Sequence, residues 1–422
     1  MHNKESSKKN GSHDASSKRG FEDMVRNLYL NRNIACMIVI SLIANMSGSM
    51  ILPLFAIYVE QFGISTLGMS ILFSLFYVGR FLGGGMAGQI YEKIGAKRLG
   101  LSLLIAEIVC MLLFPVAGSF IVLSILRLLQ GLVAIGLTVF VRVTINHMST
   151  AENRGTLNGY ISSSEGAGMI LGPLISGVIV FYFSLSFPFY FVAFFACISF
   201  VAVSRMTFAN SLLKPQPQHP PFQKSQRRIK LTKQLLLYST VHFLEMSAFA
   251  IFLTYFSVYA TYKLHWSPAE ISLAFTIIGI STFVSAPFIG KISDMLKDRL
   301  LLCIIGLLLI MMEIILFLWF TEPWIVYLGM FIGGIGGASY LDSFYSQLGD
   351  VIPEDNRSSF IGNVVSLSEL GAIASPIIAG ALMERFSIST PFYYNMILVL
   401  IAIVIQYVIR LKSNSVKKRP IA

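Results

Sequence analysis

Charge is scarce in this chain. Only 13% of its 422 residues are Asp, Glu, Lys or Arg, 55% are hydrophobic, and the mean hydropathy is +0.72. Soluble domains carry about 25% charged residues, so a water-exposed globular protein is excluded. Cysteine is also scarce. Cys36, Cys110, Cys197 and Cys303 lie far apart inside apolar runs. That spacing excludes a disulfide framework or a zinc site and leaves small packing residues. No pair among the six histidines has metal-ligand spacing, so no metal is expected. A Gly-x-x-x-x-Gly-Lys-Ser/Thr phosphate loop is missing, which argues against ATP hydrolysis. Clustered His or Asp motifs of a lipid-modifying membrane enzyme are missing too. The chain therefore reads as neither an enzyme nor a holder of cofactors. No cleavable leader is expected, because a long polar stretch precedes the first apolar run and no small-residue cleavage site follows it.

What is present is a series of apolar runs of about 20 residues, each long enough to span a bilayer. They predict helices near 34–58, 67–90, 99–118, 120–147, 156–182 and 187–208. Six more follow near 235–260, 268–290, 300–320, 323–349, 358–383 and 391–411. Residues 1–33 read as a polar, disordered tail. Residues 34–208 and 234–411 form two six-helix halves. Residues 209–233 make a basic linker broken by Pro215, Pro217, Pro220 and Pro221, and 412–422 a basic tail. The net charge of +11 raises a nucleic-acid partner, but the bases cluster in loops and tails, so none is expected. With both ends cytoplasmic, 27 of the 32 Lys and Arg fall on the inner side. Lys263 and Arg385 fall outside, and Arg80, Arg127 and Arg142 within helices. This bias predicts a multi-pass protein of the cell membrane with both termini inside.

Landmarks recur at a fixed offset. Gly88-x-x-x-Glu92 returns as Gly290-x-x-x-Asp294, Asn153-Arg154 as Asn356-Arg357, and Gly172-Pro173 as Ser375-Pro376, each 202 or 203 residues on. The expected fold is all-α, with twelve transmembrane helices in two pseudo-symmetric halves related by duplication. Gly84 and Gly88, four apart on one face, are expected to let a neighbouring helix approach closely. The loop Gly88-x-x-x-Glu92-Lys93-x-Gly95-x-Lys97-Arg98 resembles the turn between helices 2 and 3 of the major facilitator superfamily, with Glu92 for the usual Asp and Ala96 where a base is common. Gly168-Met169-Ile170-Leu171-Gly172-Pro173-Leu174-Ile175-Ser176-Gly177 resembles the fifth-helix signature of that family's proton-coupled antiporters, with Ser176 replacing a glycine. An ordinary kinked packing helix is the alternative. Arg127-x-x-Gln130-Gly131 resembles a further signature whose arginine takes part in proton coupling.

The resemblance implies a carrier whose halves rock about a central cavity, with Glu92 and Asp294 locking the outward-facing form. Helix-end capping is the alternative for both acids. An arginine in lipid costs at least about 2.5–3.5 kcal/mol, so Arg127 is expected to face the cavity or a carboxylate. A carboxyl in lipid is cheaper neutral than charged and can carry a proton. The coupling candidates, in order, are Glu165, Asp342, Glu369 and Glu245, with Arg127. Each acid has the alternative of pairing with a nearby base or lying at a helix end in water. Arg80, Asn45, Glu107 and Glu313 are cavity candidates, Arg80 either as counter-ion to an acid or as a contact to an anionic substrate. The expected partners are a small-molecule substrate, protons and the lipid bilayer, and the expected unit is a monomer. The expected activity is proton-driven export of amphipathic small molecules or drugs. The alternatives are a dedicated exporter of a metabolite such as a siderophore or sugar, and an uptake carrier.

Overall fold

The computed structural model describes residues 6–149, 154–206, 233–296, 298–351 and 354–417. The first six helices are α1 (Ser6–Glu60), α2 (Thr66–Ile94), α3 (Ala96–Leu113), α4 (Phe120–Met148), α5 (Arg154–Tyr182) and α6 (Phe187–Arg205). The second six are α7 (Lys233–Lys263), α8 (Pro268–Leu296), α9 (Arg299–Trp319), α10 (Pro323–Val351), α11 (Glu354–Arg385) and α12 (Thr390–Lys417). Among the described residues each of the twelve contains a span long and apolar enough to cross a membrane. Large apolar side chains such as Ile121, Phe181, Phe288 and Met295 are two-thirds or more exposed. They form the surface that lipid covers.

Local chemistry sets the helix ends. Ser65, Ser119 and Asp298 cap α2, α4 and α9 by accepting from the backbone N–H three residues on. At α8, Ser267 and Glu270 exchange hydrogen bonds in a reciprocal capping box. Gly95 ends α2 and begins α3 at φ 82°, a left-handed conformation that only glycine adopts cheaply. Lys97 then donates to the carbonyls of Ser204 at 2.7 Å and Met206 at 3.1 Å, closing the exposed C-terminal end of α6.

The two halves repeat one packing device. α5 lies against α1 so closely that a Cβ on Gly168 would stand 2.6 Å from the Leu42 carbonyl oxygen, and one on Gly172 2.6 Å from that of Met46. α11 lies against α7 the same way, where a Cβ on Gly371 would meet the Phe243 carbonyl oxygen at 2.6 Å. Gly371 follows Gly168 by 203 residues, the offset of the repeat.

Four tethers join the halves at the end away from the termini. Glu384 accepts from the Leu67 backbone N–H at 2.8 Å, and Ser257 donates to the Pro53 carbonyl at 2.6 Å. Tyr255 bonds Ser70, and Tyr262 bonds Glu60. At the termini end Lys97 and Arg410 tie α3 to the α6 end and α12 to Asp298, each within its own half. The bundle is thus drawn shut at the far end.

Two expectations need correcting. α1 is helical from Ser6, where the polar composition had predicted disorder through residue 33. A helix already nucleated by its apolar span can propagate outward one hydrogen bond at a time. The close helix approach on α2 uses a different pair of glycines. A Cβ on Gly88 would meet nothing within 4 Å, and one on Gly84 only Ile135 at 3.7 Å. Gly79, one turn before Gly83, instead packs on the α4 backbone at Leu128 and Gly131. Gly131 supplies the matching smooth surface. The central linker and Asn153 lie outside the described residues, as do the side chains of Arg154, Asp294, Asn356 and Arg357.

Candidate functional site

A cavity of about 260 Å³ lies at the seam between the halves. α1 and α5 of the first half contribute Ser49, Leu52, Gly166, Met169 and Pro173; the rest of the wall comes from α7, α8, α9, α10 and α12. Phe249, Phe252, Phe275 and Phe283 make much of that wall apolar. Glu245 and Glu313 put two carboxyls into it, 6% and 7% exposed. The Glu313 carboxylate lies directly on Gly333 of α10, where any side chain would collide with it. Asn395 donates to the Ala248 carbonyl at 3.0 Å, and its Oδ1 has no partner among the described residues. Neither carboxyl forms an ion pair with Lys or Arg among the described residues; Glu245 Oε2 lies 3.3 Å from His242 Nδ1. Two carboxyls with no Lys or Arg partner, and a polar oxygen with no donor, among the described residues make an apolar cavity suited to a cationic group or to protons.

The remaining acids are placed differently. Glu165, first in the sequence-based order, meets Arg142 Nη2 at 2.5 Å inside the first half, although its neighbour Gly166 lines the cavity. Glu369 on α11 meets Arg80 on α2 at 3.6 Å, an ion pair across the halves. Arg80 therefore has its carboxylate and is not among the lining residues. Asp342 is half-buried on α10 beside the lining residue Leu341. Glu107 is buried in α3 but does not line the cavity, and its Oε2 has no partner among the described residues. Asn45 donates to Ser41 of its own helix at 3.0 Å and sits at the α1–α5 contact rather than in the cavity.

Arg127 departs most from expectation. It faces neither the cavity nor a carboxylate. Its guanidinium lies 3.9 Å from the Phe55 ring centre, 4.9 Å from Phe76 and 5.1 Å from Phe73. It donates to Gln130 Oε1 at 2.8 Å and to the Leu72 carbonyl at 3.2 Å. Desolvated cation–π contacts are worth about 2 kcal/mol or more, so aromatic faces and a glutamine take the place of an acid.

The motif residues divide by position. Gly168 and Gly172 face α1, and a Cβ on Gly177 would meet Ser272 of α8 at 2.9 Å, so α5 bears on both halves. Pro173 lines the cavity. At the termini end Glu92, Lys93 and Arg98 are exposed, and Gly290, like Gly88, has nothing within 4 Å of where its Cβ would be. Glu92 forms no hydrogen bond or ion pair with the other half among the described residues. Metal-ligand spacing does not single out His242 in the sequence. Its spacing of three from Glu245, one helix face, was the available signal.

The sequence matches the Major Facilitator Superfamily model over residues 37–261 and 238–422. The chain is 25% identical over 352 residues to the quinolone resistance protein NorA of Staphylococcus aureus (strain COL), covering 82% of this chain and 88% of that one. It is 20% identical over 361 residues to the class H tetracycline resistance protein of Pasteurella multocida, covering 83% and 88%. Among solved structures, it resembles a bacterial homologue of the human lysosomal transporter Spinster, with a TM-score of 0.77, 11% identity, and coverage of 90% and 97%. It also resembles the nucleoside transporter NupG, with a TM-score of 0.76, 13% identity, and coverage of 89% and 99%.

Proposed function

This chain belongs to the Major Facilitator Superfamily, and from that membership we propose that it is a proton-coupled exporter of amphipathic, cationic small molecules. It is a multi-pass membrane transporter and not an enzyme. The observation that carries the finer reading is the pair of buried carboxyls, Glu245 and Glu313, in an aromatic cavity with no Lys or Arg partner among the described residues. A protonated carboxyl is stable there, and a lipophilic cation can replace the proton. The two cannot be held together at full strength, which is the requirement for exchange. Relatives whose names record quinolone and tetracycline resistance support a drug-like substrate.

The excess of Lys and Arg on the inner loops supports both termini facing the cytoplasm. On that orientation the tethered end is the outer one, and the cavity serves the cytoplasmic side in this state. Residues 34–208 and 234–411 then rock against each other, joined by the cytoplasmic linker 209–233, with one monomer as the working unit. Export of a single metabolite is the second reading. Neither Arg80 nor Arg127 is among the lining residues, which favours a cationic or neutral compound over an anion.

The test uses everted vesicles energised to an acid interior, with ethidium as the probe and a pH-sensitive dye as the readout. Ethidium should drive protons out through the wild type and fail to do so through Glu245→Gln. Silence from folded wild-type protein toward ethidium and a wider panel of lipophilic cations would overturn the reading.

A further inference from the structure

Glu245 is not alone in its part of α7. His242 lies one turn nearer the termini and is 2% exposed. Its Nδ1 stands 3.3 Å from Glu245 Oε2, and its Nε2 stands 3.3 Å from the Tyr345 hydroxyl. The ring is held in that pose by stacking on Phe344, with centroids 4.9 Å apart. Tyr345 is 38% exposed and lies near the termini end of α10. One side of the imidazole thus lies in contact with, though not hydrogen-bonded to, a carboxyl that lines the cavity, and the other meets the hydroxyl of a partly exposed tyrosine toward the termini.

We infer that His242 is a proton relay between Glu245 and the vestibule at the termini end, with Tyr345 as its outlet. This rests on the reading that Glu245 exchanges a proton for substrate. When Glu245 gives up its proton, its O–H bond breaks and an Nδ1–H bond forms, making the ring an imidazolium. The Nε2–H bond then breaks, and that proton bonds to the Tyr345 oxygen as the tyrosine's own proton passes to vestibule water. The balance is one proton moved from carboxyl to water, with no electrons transferred. The imidazole ends as its other, Nδ1–H, tautomer. Neutral imidazole is the side chain that can both accept and donate in the physiological range.

The other titratable and charged neighbours are consistent with this task. Tyr340 of α10 flanks the ring, with centroids 6.1 Å apart, and itself lies within electrostatic reach of Glu245 and Cys303. Beyond Tyr345 stands Glu369 of α11, paired with Arg80 of α2. Tyr238 is occupied by Gln347 at 3.0 Å. No Lys or Arg forms an ion pair with Glu245 among the described residues, so a proton on the Glu245–His242 pair is not displaced by a fixed positive charge there.

The test is proton flux in proteoliposomes bearing an ethidium gradient, measured by a trapped pH dye for wild type, His242→Gln, His242→Ala, Tyr345→Phe and Glu245→Gln. General acid–base groups contribute about 10²–10⁴-fold to proton-transfer rates, so His242→Gln should slow proton flux by at least about tenfold. Ethidium binding should stay within about twofold of wild type. The wild-type rate should depend on the pH of the termini-side medium, and His242→Gln should lose that dependence. Imidazole added on that side should restore flux to His242→Ala, and Tyr345→Phe should slow flux without changing ethidium affinity. Wild-type rate and pH profile in both His242 variants, with Glu245→Gln inactive, would overturn the relay and leave the transport reading standing. Absence of ethidium-driven flux in the wild type would remove the transport reading and the relay with it.

Discussion

In the first half two of the three guanidiniums within the bundle have a local answer: Arg142 lies on Glu165, and Arg127 lies among Phe55, Phe73 and Phe76. In the second half Glu245 and Glu313 stand in the cavity wall with no Lys or Arg partner among the described residues. The ion pair of Arg80 with Glu369 joins the two. A paired acid has a reason to stay ionised through a cycle, while an uncompensated acid in an apolar wall has a reason to hold a proton. The halves share a packing plan but not a charge plan. On the proposed proton coupling, the first half is the scaffold and the second the half that changes charge.

The largest predicted effect compares Glu245 with Glu165. Glu245→Gln should lower proton-coupled ethidium export by about a hundredfold, as loss of an essential proton carrier does. Glu165→Gln leaves Arg142 unpaired, and its defect should be largely relieved in Arg142→Gln/Glu165→Gln, read in the same vesicle assay. A comparison of Glu313→Gln with Glu107→Gln sharpens the point. Both acids are buried without an ion pair among the described residues, but only Glu313 lines the cavity. Ethidium export should fall in the first variant and hold in the second.

Next come the glycines of the packing plan. Gly172→Ala and Gly131→Ala place a methyl against a neighbouring backbone, at a cost of about 1–3 kcal/mol for such overpacking. Gly84→Ala should be nearly silent. Melting temperatures of the purified proteins in detergent check this order.

Breaking the bridge should have a smaller effect. Arg80→Gln or Glu369→Gln alone leaves one partly buried charge without its partner, and transport should fall roughly tenfold. The double variant should recover most of it, measured as a double-mutant cycle on export rate. The smallest effect is expected from Glu92→Gln. Glu92 is exposed here, so its loss should shift the balance of the two end states by roughly threefold, the scale of an exposed charge contact. Accessibility of a cysteine placed on the termini side reads that shift.

The fold was legible in the sequence because its causes are local. Apolar runs of bilayer length, basic inner loops and landmarks at one offset are each visible in a single string. The site was less legible because compensation of charge is a tertiary property. Arg142 and Glu165 are 23 residues apart on different helices, and nothing in that separation distinguishes Glu165 from Glu245. Arg127 needed three phenylalanines from two other helices to replace the expected carboxylate. Gly84–Gly88 was the expected pair, but Gly79–Gly83 has the same spacing, and only Gly131 on α4 decides which pair is used. The His242–Glu245 spacing was readable, but its meaning depended on Tyr345, 103 residues away.

The central claim is that the protons lie on the second half. Purified protein in a weakly buffered solution can be mixed with tetraphenylphosphonium, and the protons it releases followed with an indicator dye. Wild type and Glu165→Gln should release protons on binding, and Glu245→Gln should bind without release. Release that persists in Glu245→Gln and vanishes in Glu165→Gln would contradict the assignment and move the coupling site to the first half.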